Sequence, residues 1–362
     1  MASKARQLAQ SASAPEGRKN MVINGAMQVA QRSASVTGVG ASAGYFTVDR
    51  FRVSPTSTAG RLTMSQDSDA PEGFANALKL DCTTADTSIA SGEAFLLITE
   101  LEGQDLQRLA KGTSSAKEVT VSFYAKANAS KTYVVELKDI DNTRTCSKTF
   151  TVGTSYTRHE ITFPADTTGA LDDDNAKSLA IHFWLHAGTD FSSGTLQTAW
   201  GSQTSANRAV GIDSFFSSTD NTFFITGVQM EVGSVATEFE HRSFGEELAL
   251  CQRYYQKSYP LATAPGTAIT DGFNVQASFG TEGNGIVGQN VTLPVVMRTN
   301  PTTTIYDGEG TSGKVNLLGS GAATTHNQAT NMVSSRAEFL NVRIFGATCA
   351  GMSFMYEADA EL

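Results

Sequence analysis

The sequence predicts an all-β fold: a jelly-roll β-sandwich, a short linking helix, and a smaller C-terminal β domain. Three observations predict it. Apolar and polar residues alternate over short runs, which puts one face of a strand on a core and the other toward solvent. Clusters of Gly, Asp, Asn and Ser separate those runs, as turns do between the strands of a sandwich or barrel. A single helical stripe with a capping signal stands between two such regions.

The chain has 362 residues, enough for two or three domains. Hydrophobic residues make up 40% and charged residues 17%. That composition supplies real cores and excludes a disordered chain.

Residues 1–20 are small and polar, with Leu8 the one large aliphatic. Ala5–Ala12 is compatible with a short helix, ended by Pro15 and Gly17, and the segment reads equally as a frayed terminus or as an anchor that orders against a partner. From residue 21 the pattern becomes strand-like, and residues 21–242 are expected to form one sandwich. Val119, Val121, Phe123 and Ala125 alternate with Thr120, Ser122 and Tyr124. Tyr133, Val135 and Leu137 continue the pattern, as do Leu179–Leu185, Phe215–Phe216 and Phe223–Met230. No helical pattern separates these runs, which argues against a parallel α/β fold.

Residues 243–260 read as the linking helix. Ser243 with Glu246 makes a capping box, in which hydroxyl and carboxylate satisfy free backbone N–H groups. Leu248, Cys251, Tyr255 and Tyr259 recur at spacings of three and four, and Pro260 ends the helix. Residues 261–362 return to strands. Asp307-Gly308 and Gly319–Gly321 mark turns, and the runs Val342, Ile344, Gly346 and Met352, Phe354, Tyr356 are expected to pair with each other.

The formal net charge is −9, and the basic residues are scattered. No nucleic acid partner and no membrane insertion are expected, since nucleic acid and anionic lipid both select a basic stripe. There is no apolar leader and no apolar run of membrane-spanning length, so synthesis and folding in a cytoplasm are expected. Cys82, Cys146, Cys251 and Cys349 are far apart without metal-binding spacing and are expected to be buried thiols.

His182 and His186 flank Trp184. On a strand they would stand roughly 13 Å apart on one face, too far to share a metal with bonds near 2 Å. Asp172, Asp173 and Asp174 lack the alternate spacing of a calcium loop and read as a solvated turn. Glu100, Glu102 and Asp105 supply carboxylates, but a glycosidase needs two at a set separation across a cleft. There is no GxSxG, P-loop or HExxH, and no short repeat of the kind that builds a β-helix. An enzyme is therefore not expected, nor any cofactor or metal. Trp200, in a Gly/Ser/Thr-rich loop, and Tyr306 are the candidates for stacking on sugar rings.

The stretch Asn20–Arg32, NMVINGAMQVAQR, followed by Tyr45 and Asp49-Arg50-Phe51, resembles the opening of a large group of tailed-phage virion proteins. The likeness continues at Leu101–Leu106, at Lys117–Lys126, through Asn221–Tyr255, and at Leu293–Thr302. Phe51 stands where the family has Trp, and Glu238 where it has Pro. The resemblance implies a tail-fibre subunit whose main domain is like a carbohydrate-binding module. It implies a homotrimer, carried by the virion tail, that mediates attachment to a glycan or protein of the host surface. On this reading Lys4, Arg6 and Leu8 anchor the N-terminus in a tail adaptor or tube protein. The helix Phe244–Ser258 is expected near the three-fold axis, with Leu248, Cys251 and Tyr255 at the interface. The alternative is a capsid-surface or head-fibre decoration protein; a polysaccharide depolymerase ranks third.

Overall fold

The structure is a computed structural model that describes residues 18–277, 286–318, 324–330, 332–345 and 351–362. Lys4, Arg6 and Leu8 lie outside the described residues, as do Cys349 and Gly346.

The alternating runs form two facing sheets, with strands numbered in chain order. The first sheet runs β1 (Ser35–Val39), β4 (Arg61–Asp67), β5 (Ala77–Thr84), β13 (Thr222–Val232), β7 (Val119–Ala127) and β10 (Thr157–Phe163). The second runs β12 (Gly201–Ser202), β9 (Arg144–Val152), β8 (Lys131–Asp139), β11 (Lys177–Ala187), β6 (Ala94–Glu102), β3 (Arg52–Thr56) and β2 (Gly44–Tyr45). All neighbours within each sheet are antiparallel. After β5 the chain passes back and forth between the sheets, staying in one sheet only for β8–β9 and β11–β12. This is a jelly-roll β-sandwich, as expected.

The inner faces make the main core. Leu80, Val121, Phe123 and Ile225 from one sheet meet Leu97, Val135, Ile181 and Phe183 from the other. Phe123 and Phe183 pack edge to face, with centroids 5.1 Å apart. The outer face of the second sheet departs from simple alternation. There Leu96, Ile98, Val134, Ala180 and Trp184 form a smaller core, with Phe191 packed against it. β11 is therefore buried on both faces along most of its length. One expected strand is absent: Phe215–Ser217 forms a 3-10 turn in which both aromatic rings reach the core and Ser214 Oγ caps Phe216 N.

The linking helix is shorter than the periodicity predicted. It spans Phe244–Gln252, with Ser243 Oγ accepting from Glu246 N at 3.3 Å. Beyond it, Tyr255–Lys257 is a strand paired antiparallel with Glu357–Asp359. Tyr255 and Tyr259 therefore do not extend a helical stripe. The aromatic pair Tyr254-Tyr255 suits a strand better than a helix, and both rings are buried where the two β domains meet.

In the C-terminal region the strand Gly351–Asp359 is central. Tyr255–Lys257, Asn274–Ala277, Thr302–Tyr306 and Lys314–Leu318 all pair with it. The strand Phe339–Phe345 instead pairs with Ile286–Thr292 and Met332–Ser335. The two closing strands are thus not partners. Leu340, Val342 and Ile344 share one core with Met352, Phe354 and Tyr356. Alternation identifies the face that a strand buries, but not the strand it pairs with.

Candidate functional site

A cleft of about 850 Å³ opens where the C-terminal domain meets the sandwich. One wall is the segment flanking β1 and β2, with Arg32, Tyr45 and Phe46. The other is formed by Tyr306, Glu357 and Asp359 on the paired strands Thr302–Tyr306 and Gly351–Asp359. Period two explains the second wall. Tyr356 and Ala358 face the core, so Glu357 and Asp359 point the other way.

Glu357 is held by two phenols: Tyr255 donates to Oε2 at 2.7 Å and Tyr306 to Oε1 at 2.5 Å. Burial, together with its bond to the Glu357 carboxylate, raises the Tyr306 phenol well above the usual tyrosine range. Burial and Glu357 do the same to Tyr255. Both phenols therefore stay protonated and act as donors. Arg32 lies 3.7 Å from the centre of the Tyr255 ring and 5.2 Å from that of Tyr45. Its Nη2 donates to Asp359 Oδ2 at 2.9 Å. Burial would lower the Arg32 pKa, but Glu361, Asp49 and Asp359 outweigh that and raise it, so its charge is permanent. The cleft combines aromatic edges with fixed donors and acceptors, which suits a polyhydroxylated ligand with apolar ring faces.

A second depression of about 260 Å³ lies on the outer face of the second sheet. Its floor is internally paired. Arg208 grips Glu136 with Nε–Oε2 at 2.9 Å and Nη2–Oε1 at 2.6 Å, and His182 Nδ1 lies 3.0 Å from Oε1. Burial would raise the Glu136 pKa; bonds from Arg208 and His182 overcome it and bring it to about 2. The Trp184 ring is covered by Arg208 at 4.7 Å and by Phe191 at 5.3 Å.

The structure places the other sequence candidates as follows. Trp200 is half-buried and packs on the main core. Its Nε1 donates to Pro164 O at 2.9 Å, and Lys111 lies 5.1 Å from the ring centre. Its indole N–H and one side of its ring are thus used within the fold. Tyr306, by contrast, lines the cleft. Cys251 and Tyr255, expected between subunits, are fully buried within the chain, and only Leu248 of that trio keeps exposed surface. Glu100 is paired with Arg52 at 2.9 Å and Lys177 at 3.1 Å, and Glu102 takes a two-point grip from Arg253. Asp172, Asp173 and Asp174 are exposed. His182 and His186 have separate partners, Glu136 and Ser214. Arg32, Tyr45, Glu357 and Asp359 were not among the sequence candidates. Arg32 and Tyr45 lie within the segments that carry the resemblance, and the alternation around Tyr356 marks Glu357 and Asp359 as facing away from the core.

Comparison with protein-family models finds no match, and comparison with curated proteins finds none either. Solved structures with similarity to the chain include the enzymatically active domain of tailspike protein 4 of bacteriophage CBA120. The identity is 13% over 59% of this chain and 21% of that one, with a TM-score of 0.30. The family 11 carbohydrate-binding module of a Clostridium thermocellum cellulosomal cellulase matches 53% of this chain and 91% of its own, at 14% identity and TM-score 0.28. A xylan-binding CBM22-1 domain from Paenibacillus barcinonensis matches 61% of this chain and all of its own, at 10% identity and TM-score 0.29. Among the described residues no helix is long and apolar enough to cross a membrane.

Proposed function

We propose that this chain is a structural and adhesive subunit of a tailed-phage particle, of the tail-fibre type, which holds a host-surface glycan in the cleft between its two β domains. The observation that carries the glycan part is the cleft wall itself. Tyr306 and Tyr255 share Glu357 while Arg32 spans Tyr45, Tyr255 and Asp359. Such a wall presents the half-buried rings of Tyr45 and Tyr306 to the ring faces of a sugar, and a fixed charged network to its hydroxyl groups. The phage part is supported by the sequence resemblance of Asn20–Arg32 and Asn221–Tyr255. On this reading the protein binds without cutting. The carboxylates of the cleft are occupied as acceptors for Arg32 and the two phenols, an arrangement suited to holding. Individually weak contacts become firm when a homotrimer is repeated around a particle. The N-terminal segment would join a tail adaptor or tube.

Two measurements test the proposal. Electron cryo-microscopy of intact particles is expected to show this chain projecting from the tail, three copies to a fibre. Density spread over the capsid lattice would replace the fibre with a decoration protein. Purified chain is expected to bind host cells and to lose that binding after periodate oxidation of surface sugars. Undiminished binding would point to a protein receptor, and release of oligosaccharides from host polysaccharide would make the chain a depolymerase.

A further inference from the structure

Three chelating side chains from distant segments converge at one rim of the sandwich. Asp86 follows β5, Glu93 immediately precedes β6, and His186 lies near the end of β11, just past an irregularity in its pairing with β6. One ligand atom from each lies within 4.8 Å of the others, and all three residues are buried. This cluster lies outside the interdomain cleft and does not depend on the function proposed for it.

Two of these atoms have no hydrogen-bond partner. Glu93 Oε2 and His186 Nε2 are both buried and lie 3.5 Å apart, within ion-pair reach of each other but without a hydrogen bond to any group. Leaving a buried polar atom without a close partner costs about 1–3 kcal/mol, and an ion held between these two would satisfy both. A tetrahedral ion with bonds near 2.1 Å sets its ligand atoms about 3.4 Å from one another, close to the 3.5 Å between Glu93 Oε2 and His186 Nε2.

The surroundings hold the cluster in place. His186 Nδ1 lies 2.8 Å from Ser214 Oγ, which fixes the ring and turns Nε2 inward. Thr58 Oγ1 and Ala59 N each donate to Asp86 Oδ2 at 2.8 Å. Gly188 N donates to Glu93 O at 2.8 Å, tying the loop before β6 to the end of β11. Gly188 is required there, because a Cβ would stand 2.0 Å from Ala90 O.

We propose that Asp86, Glu93 and His186 form a binding site for a divalent transition-metal ion of the zinc type. One imidazole with two carboxylates is a mixed nitrogen and oxygen set, which suits zinc and its neighbours. Calcium prefers six to eight oxygens. The ion joins β5 of the first sheet to β6 and β11 of the second, and so clamps the sandwich across its rim.

The test uses the full chain, stripped with a chelator and titrated with Zn²⁺, Mn²⁺ or Ca²⁺. Metal content and thermal unfolding are read together. One Zn²⁺ per chain is expected, with the melting temperature raised by about 5–10 °C at a hundredfold excess over Kd. Glu93→Gln, which preserves shape, is expected to abolish both effects while its circular dichroism stays that of the parent. His186→Gln should do the same. No uptake by the parent chain would mean that a proton shared by His186 Nε2 and Glu93 Oε2 closes the gap, and would overturn the proposal. Unchanged uptake by the Glu93→Gln variant, or preference for Ca²⁺, would overturn it as well.

Discussion

The Arg32 guanidinium lies 3.7 Å from the centre of the Tyr255 ring. These residues end two of the segments that carry the phage-protein resemblance, and their contact shows what those segments do here. Gln31 Nε2 donates to Tyr255 O at 2.8 Å. Arg50 lies 3.5 Å from the centre of the Tyr254 ring and pairs with Glu361. Arg253 forks onto Glu102 at 2.9 and 2.7 Å. The segments thus build the joint between the two β domains, and the cleft exists because that joint fixes one wall against the other.

Arg50 is expected to be the most sensitive residue of the joint. Its side chain is 2% exposed, that of Glu361 is 6% exposed, and Arg50 Nη2 also donates to Glu100 O at 2.7 Å. Arg50→Ala leaves the buried Glu361 carboxylate with only its longer contact to Arg32 at 3.4 Å, at a cost of about 3 kcal/mol. Calorimetry of the variant is expected to show an earlier unfolding transition that separates into two as the domains uncouple. One transition at the parent temperature would contradict this role for Arg50.

Acid should act through Glu136. Its folded pKa of about 2 lies below the ordinary 4.5, so the ionised form favours the folded state. That stability is present above about pH 4.5 and is lost as pH falls toward 2, amounting to about 3 kcal/mol. Glu136→Gln is expected to be less stable than the parent at pH 7, with a flatter stability profile between pH 4.5 and 2. Urea midpoints across that range give the comparison. Parallel profiles for the two proteins would show that another group governs the acid limb.

The sandwich was legible because its signal is local. Val121, Phe123 and Ala125 point inward as their alternation requires, whatever strand they pair with. The joint was not legible because its parts are remote: Arg32 meets Asp359, and Arg50 meets Glu361, only after the whole sandwich has formed. Tyr255 fitted a helical stripe by spacing, yet pairing with Asp359 decided its backbone. Trp200 read as a loop aromatic, and its burial depended on Lys111 and Pro164 folding over it. His186 has His182 as its chelating neighbour in sequence, whereas Asp86 and Glu93 approach it only in space.

Gly25 has a steric reason to be glycine. A Cβ there would stand 2.1 Å from Val228 O, on backbone that also donates from Val228 N to Gly25 O at 2.9 Å. β13 must give way, and backbone in a central strand gives way poorly. Gly25→Ala is expected to destabilise by about 1–3 kcal/mol, read as a lower denaturant midpoint. A variant as stable as the parent would mean that the first segment can lift off β13 freely.

Trp200 and Tyr306 should separate stability from binding. Trp200 packs on the main core, and its indole N–H is used within the fold. Truncating a buried aromatic costs about 3–5 kcal/mol, and this ring is half-buried, so Trp200→Ala is expected to lose about 2–3 kcal/mol. Its affinity for host cells should stay that of the parent at temperatures where it remains folded. Tyr306 contributes one ring edge to the cleft and one phenol bond to Glu357. Tyr306→Ala is expected to weaken host-cell binding about tenfold, the equivalent of one well-placed contact of about 1.4 kcal/mol. Tyr306→Phe keeps the ring and removes the donor, so its affinity divides the effect between stacking and the fixing of Glu357. If Trp200→Ala weakens binding and Tyr306→Ala does not, the adhesive surface lies on the sandwich beside Trp200 and the cleft is only the seam of the joint.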